Sequence, residues 1–200
     1  MKRFLIMMFA AVCTSMLCAN EAAVRKTVDT VYDLAAKMEV AQAAKYYHPK
    51  YVEKTSDGKT LTQKDVKKII KVTAMMKKAI KEDSSLLEIM ELIALTQGRT
   101  IPAAQKQQII AMQETEQGKQ QTAIIRQQMR MAWDAQIAKI QNSVKTRKVT
   151  ECTVKGNTAA VKMDWNSPST DKLENIQLDL IKVKGKWLIL KSTSTLAEKE

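Results

Sequence analysis

The last fifty or so residues alternate. Lys148–Lys155, Thr158–Asn166, Leu173–Val183 and Lys186–Thr193 are β-prone stretches, separated by Gly156-Asn157, by Ser167-Pro168-Ser169-Thr170 and by Lys184-Gly185. Ala159, Val161, Met163 and Trp165 recur at period two in the second stretch, and Ile176, Leu178 and Leu180 do so in the third. Each strand therefore turns one apolar face to one side. Short polar turns join antiparallel neighbours, so the stretches read as a four-strand meander. A sheet with one apolar face must be covered by another layer. That requirement frames the reading of everything upstream.

The cover is helical. Over 21–38, Val24, Val28, Val31, Ala35 and Met38 recur at three- and four-residue steps, the spacing of one helix face. A short second helix is expected over Val40–Tyr47, ended by Pro49. Asp57-Gly58, between Tyr51–Thr55 and Thr60-Leu61, marks a hairpin, because both residues tolerate positive φ. Thr62-Gln63-Lys64-Asp65 then opens a third helix as a capping box, with Val66, Ile69, Ile70, Thr73, Met76 and Ile80 inward.

The stretch 83–146 stays helical. Ser85 and Glu88 cap a helix from Leu86 to Leu95 that is apolar nearly all round, and Gly98 ends it. Pro102 suits the first turn of another helix. A Gln-rich segment, Gln105–Gln121, is interrupted by Gly118, and a long helix follows with Ile125, Met129, Trp133, Ile137, Ile140 and Val144 in one stripe. The expectation is an α+β fold: amino-terminal helices packed on a curved antiparallel four-strand meander, with 83–146 a helical insertion.

The amino end bears on compartment. Lys2-Arg3 precede an apolar run, Phe4–Val12, and no charge follows before Asn20. These are the marks of a signal peptide over 1–19, cleaved after Ala19, with 20–200 as a single domain. The run is shorter than the ~20 residues a bilayer span needs. Cys18 raises lipid attachment, which Leu17 just before it disfavours. A periplasmic or secreted protein is expected. Removal of the leader takes Cys13 and Cys18, leaving Cys152 as a small apolar strand residue without a disulfide partner. The formal net charge of +12 favours anionic partners. No nucleic-acid partner is expected, given export and the lack of aromatics interleaved with Lys and Arg.

The wording of two segments resembles a known superfamily. Ala44-Lys45-Tyr46-Tyr47-His48-Pro49-Lys50-Tyr51-Val52, then Asp57-Gly58 and Thr62-Gln63-Lys64-Asp65-Val66, is similar to the helix–hairpin–helix passage of nuclear-transport-factor-2-like proteins. Lys182-Val183-Lys184-Gly185-Lys186-Trp187-Leu188-Ile189 is similar to their closing hairpin. The resemblance covers 21–80 and 147–195 and implies helices packed on a curved sheet around a conical pocket, in the SnoaL-like or cystatin-like manner. It also implies a superfamily mixing isomerases, dehydratases and cyclases with non-catalytic members. The block 83–146 departs from it and can lid the pocket, fill it or present a partner surface.

No catalytic motif transfers residue by residue. His48, the sole histidine, and Tyr47 beside it are candidates for acid–base chemistry. An enzyme would need a polar group beside them facing an open cavity. Tyr32, Tyr47, Trp133 and Trp165 are candidates for lining the pocket. Asp164 and Asp179 alternate away from the apolar strand faces. One His and one mature Cys cannot make a zinc tetrad, and neither a calcium loop nor a phosphate loop is present, so no metal or cofactor is expected. Lys64, Lys67, Lys68 and Lys71 make the third helix a candidate anion-binding face. The preferred expectation is a non-enzymatic binding or scaffolding protein of the cell envelope, taking an apolar ligand or a protein partner, with an oligomer possible. A cone-fold enzyme working near His48 is one alternative, and anionic-surface binding is another.

Overall fold

The computed structural model describes residues 20–81 and 83–197. The expected leader, with Cys13, Cys18 and the Ala19 cleavage point, lies outside the described residues. The chain divides into two compact units, one from residues up to 66 and from 140 onward, the other from 67–139.

The first unit is built on one open sheet. Helix α1 covers 20–36, α2 is Val40–Ala43, and a single tight turn, Ala44–Tyr46, leads into β1 (Tyr47–Lys54). Strand β2 (Thr60–Thr62) precedes helix α3 (Gln63–Ala79). The unit resumes with the end of helix α6 (Glu116–Thr146) and closes with β3 (Lys148–Lys155), β4 (Thr158–Asn166), β5 (Leu173–Val183) and β6 (Lys186–Leu196). The strand order is β2-β1-β6-β5-β4-β3. The four carboxy-terminal strands form the expected antiparallel meander. The sheet is larger than the sequence reading foresaw, because β1 joins it parallel to β6 and carries β2 along. The α+β architecture, helices on a curved sheet, is the one the resemblance implied.

Val24, Val28 and Val31 of α1 pack on Val161 and Met163 of β4, Ile176, Leu178 and Leu180 of β5, and Ile189 of β6. One helix stripe thus meets one sheet face, and burying each such side chain is worth about 1.5–3 kcal/mol. Two ties fix the end of α6 to this layer. Ser143 Oγ donates to the Asn166 carbonyl, and Asn166 N–H donates to Thr146 Oγ1 at 2.9 Å. Arg147 pairs with Asp29 of α1 and lies over the Tyr32 ring, 4.8 Å from its centroid.

The second helix is shorter than expected. Tyr47 is already strand, and Pro49 lies inside β1 rather than terminating a helix. Pro49 pushes His48 toward extended geometry, which starts the strand early. It also lacks an N–H, and the β1–β6 register breaks between Tyr47 and Val52, around it. Lys184 and Gly185 both take positive φ (48° and 81°), the pair a two-residue hairpin turn requires.

The second unit is helical: α3 from Lys67 onward, α4 (Leu86–Thr96), α5 (Ala103–Gln113) and α6 as far as Lys139. Ala79, Ile89 and Leu92 form its buried centre, with Val72, Met75, Met76, Ile125 and Met129 around them. Ser85 and Glu88 make the full capping box that the sequence announces. Ile69, expected inward, is 46 % exposed, because it stands a turn before the first residue of that cluster. The helix break falls at Glu114-Thr115 and not at Gly118. Thr115 Oγ1 accepts from Gly118 N–H at 3.0 Å and caps α6. Pro102 sits at the cap position of α5, just ahead of its first turn. Arg126 donates to the Ser84 carbonyl at 2.6 Å, and Arg130 to the Ile80 carbonyl at 3.2 Å, placing cations where α3 ends.

Candidate functional site

A cleft of about 640 Å³ opens within the first unit, a volume suited to a small molecule. Helix α1 supplies Val31, Tyr32 and Ala35; β1 supplies Tyr47, Tyr51 and Glu53. Trp165 comes from β4, one residue before its end, and Glu174, Ile176 and Leu178 come from β5. Ile189, Ser192 and Ser194 of β6, Leu61 of β2, the β1–β2 turn, the 167–170 loop and the end of α6 complete the walls.

Four aromatic rings wall it in two pairs. Tyr32 meets Trp165 edge-on at 5.3 Å between centroids, and Tyr47 tilts against Tyr51 at 4.4 Å. Burial, the largest cause in each case, drives the Tyr32, Tyr47 and Tyr51 phenols above their usual pKa, so all three keep their O–H.

Two carboxylates stand among these rings. Tyr51 Oη donates to Glu53 Oε2 at 2.9 Å. Burial raises the Glu53 pKa, the Tyr51 bond works against that, and the negative Glu174 pushes it up again. Glu174 is only 4 % exposed. Ser56 Oγ and Thr170 Oγ1 both donate to its Oε1, at 2.7 and 2.9 Å. Its Oε2 takes no hydrogen bond from the described residues. Neither Glu53 nor Glu174 has an ion pair among them. Lys59 at the rim is engaged with Asp57 at 2.5 Å.

The structure brings Tyr32, Tyr47 and Trp165 together on this cleft. Trp133, half-buried on α6, belongs to the helical unit. His48 does not line the cleft. Strand alternation sends its side chain away from the Tyr47 side, and its Nδ1 accepts from the Lys50 N–H at 3.1 Å. Lys64, Lys67, Lys68 and Lys71 are all exposed, Lys64 in the first unit and the others in the second. Among the described residues no three His, Cys, Asp or Glu side chains gather so as to hold a metal ion, and no helix is long and apolar enough to cross a membrane.

Sequence reasoning missed Tyr51, Glu53 and Glu174. The signal was present: Glu174 continues the period-two series of Ile176, Leu178 and Leu180, and Glu53 follows Tyr51 at the same step. A carboxylate on the apolar face of a strand marks a buried acid.

No family model matches the chain, and none of the curated proteins does. Among solved structures it is similar to an NTF2-like protein with a cystatin-like fold from Novosphingobium aromaticivorans, over 95 % of this chain and 90 % of that one, at 8 % identity and a TM-score of 0.44. An NTF2-like protein of unknown function from Silicibacter pomeroyi matches at 16 % identity and a TM-score of 0.24, over 32 % of this chain and 56 % of that one. Another from Shewanella baltica matches at 18 % and 0.26, over 33 % and 56 %. The chain thus spans little more than half the length of these last two. Identities this low carry no activity across, so the functional reading rests on the cleft itself.

Proposed function

We propose that the chain is an exported, non-enzymatic binding protein of the cell envelope, whose sheet unit holds a small molecule with an apolar body. The observation that carries this reading is the cleft of about 640 Å³ walled by Tyr32, Tyr47, Tyr51 and Trp165. Aromatic side chains on the walls give a guest a large apolar area to pack on. Export rests on the sequence of residues 1–19. The test is saturable, one-to-one uptake of the neutral dye N-phenyl-1-naphthylamine by the chain from residue 20 onward. Trp165→Ala and Tyr47→Ala should each weaken uptake about tenfold or more, since removing a well-packed aromatic contact costs over 1 kcal/mol. Unsaturable uptake, or uptake indifferent to both changes, rejects the reading.

A second reading is supported by one observation, the Glu53 carboxyl. It faces an open cavity beside Tyr47, is bonded to the Tyr51 phenol, and has a raised pKa. Acid–base chemistry, if this chain performs any, belongs to Glu53 with Tyr51 and not to His48. Deuterium exchange at the α-carbon of a panel of cyclic ketones, followed by proton NMR, tests it. Exchange lost in Glu53→Gln supports it, and exchange equal to buffer alone rejects it.

A further inference from the structure

We infer that the ligand of this cleft is an organic cation, an amine carried on an aromatic or apolar body, held by the Tyr32, Tyr47, Tyr51 and Trp165 rings and by the Glu53 and Glu174 carboxylates. The inference rests on the binding reading above and names the chemical class that the site takes.

The chain carries 33 Lys and Arg against 21 Asp and Glu, so cations for pairing are plentiful. The two carboxylates inside the cleft nonetheless pair with none among the described residues. Their partners are neutral donors only: the Tyr51 phenol and the Ser56 and Thr170 hydroxyls. A buried carboxylate without a counter-charge is expensive, and a second one beside it adds repulsion. The Glu174 side chain, more than nine-tenths buried, keeps Oε2 free of protein partners on the wall of the cleft. What the two carboxylates lack is a positive group bonded to them.

The rings supply the second half. A cation is attracted to an aromatic face within about 6 Å of its centroid, more strongly once desolvated. The protein already uses this property: the Arg147 guanidinium lies 4.8 Å from the Tyr32 centroid. Arg147 gives Nη2 to Asp29 and leaves Nη1 buried without a hydrogen-bond partner, and it forms no ion pair with either glutamate. The cleft has room for more than an ammonium group, and Val31, Ala35, Ile140 and Val144 on its walls accept an apolar body. An anion would meet two like charges, and a neutral apolar guest would leave both carboxylates unpaired.

Matched ligands test this. The 2-arylethylamine, the 2-arylethanol and the 3-arylpropanoate, each on phenyl, indolyl and naphthyl bodies, are titrated calorimetrically into the protein at pH 7.5. The amine should bind about tenfold more tightly than the alcohol of the same body, and the carboxylate should bind least. Glu174→Gln and, separately, Glu53→Gln should bring the amine-to-alcohol ratio toward one, with folding checked by circular dichroism. Should one variant fail to fold, the other carries the test, and the wild-type ratio stands without either. Alcohol binding as tight as amine, or carboxylate preferred, overturns the cation inference while leaving a binding cleft. Failure of all nine ligands, together with failure to take up the neutral dye, overturns both.

Discussion

Glu53 is the residue whose surroundings have the plainest thermodynamic consequence. An acid whose pKa is raised by folding holds its proton more tightly in the folded state than in the unfolded one. Its stabilising contribution is whole below the unfolded value of about 4.3 and is lost as pH rises through the folded value. Burial is the main cause of the rise. The charged and titratable groups that share the cleft with it are Tyr32 from α1, Tyr47 and Tyr51 on β1, Glu174 on β5, and Asp57 and Lys59 in the hairpin turn, with Arg147 after α6 acting on Tyr32. The three phenols are held above their usual pKa and stay neutral in this window. Glu53→Gln removes the titration. Its melting temperature should exceed that of the wild type at pH 8, and the difference should shrink toward pH 4. Tyr51→Phe should act through the same group, because the phenol bond favours the ionised carboxyl. Without it the Glu53 pKa climbs further, and the fall in stability extends to higher pH. Thermal melts of the three proteins at half-unit pH steps read both effects, and parallel curves would contradict both.

At the scale of elements, the carboxy-terminal strands were legible because period two is a strong signal over nine to eleven residues: β4 closes one residue beyond its alternation, and β5 begins with its own and runs on to Val183. The parallel pairing of β1 with β6 was not legible, because it joins residues more than a hundred apart and leaves no local pattern. His48 was misplaced for a local reason, since a strand that starts at Tyr47 turns alternate side chains away from the cleft. Half the cleft could be read from its aromatics, and its acids were hidden by the habit of assigning carboxylates to solvent. Gly118 shows a different blindness. In sequence it looks like a helix breaker, yet it lies in the first turn of α6, where a Cβ would sit 1.9 Å from the Met112 carbonyl oxygen. Alanine at an ordinary helix position would gain about 1 kcal/mol. Here the clash is with backbone, which no side-chain rotation relieves, so it outweighs that gain. Gly118→Ala should cost about 1–3 kcal/mol, measured by urea unfolding against exposed Gln120→Ala as a neutral control. Met163→Ala, in the sheet unit, should cost about 2–5 kcal/mol, because the side chain is 1 % exposed and leaves a cavity.

Across the whole molecule the charge is divided by place. The cleft holds two carboxylates without a counter-ion among the described residues, while the formal net charge is +12. Part of that excess lies on α3, where Lys67, Lys68 and Lys71 are exposed and have no ion pair among the described residues. Exposed lysines of this kind are drawn to anionic lipid by about 1 kcal/mol each, an attraction confined to roughly a Debye length. If the chain works against an anionic surface, the form beginning at residue 20 should sediment with vesicles containing a third anionic lipid and not with neutral ones. The bound fraction should fall steeply between 50 and 500 mM salt. Reversing three charges removes the attraction of three and adds repulsion, so Lys67→Glu with Lys68→Glu and Lys71→Glu should weaken the association by about a hundredfold or more. A triple variant that sediments like the wild type, or wild-type binding that ignores salt, would make these lysines a solvated face and nothing further. The excess charge would then serve solubility, and the cleft alone would be left to explain what the protein recognises.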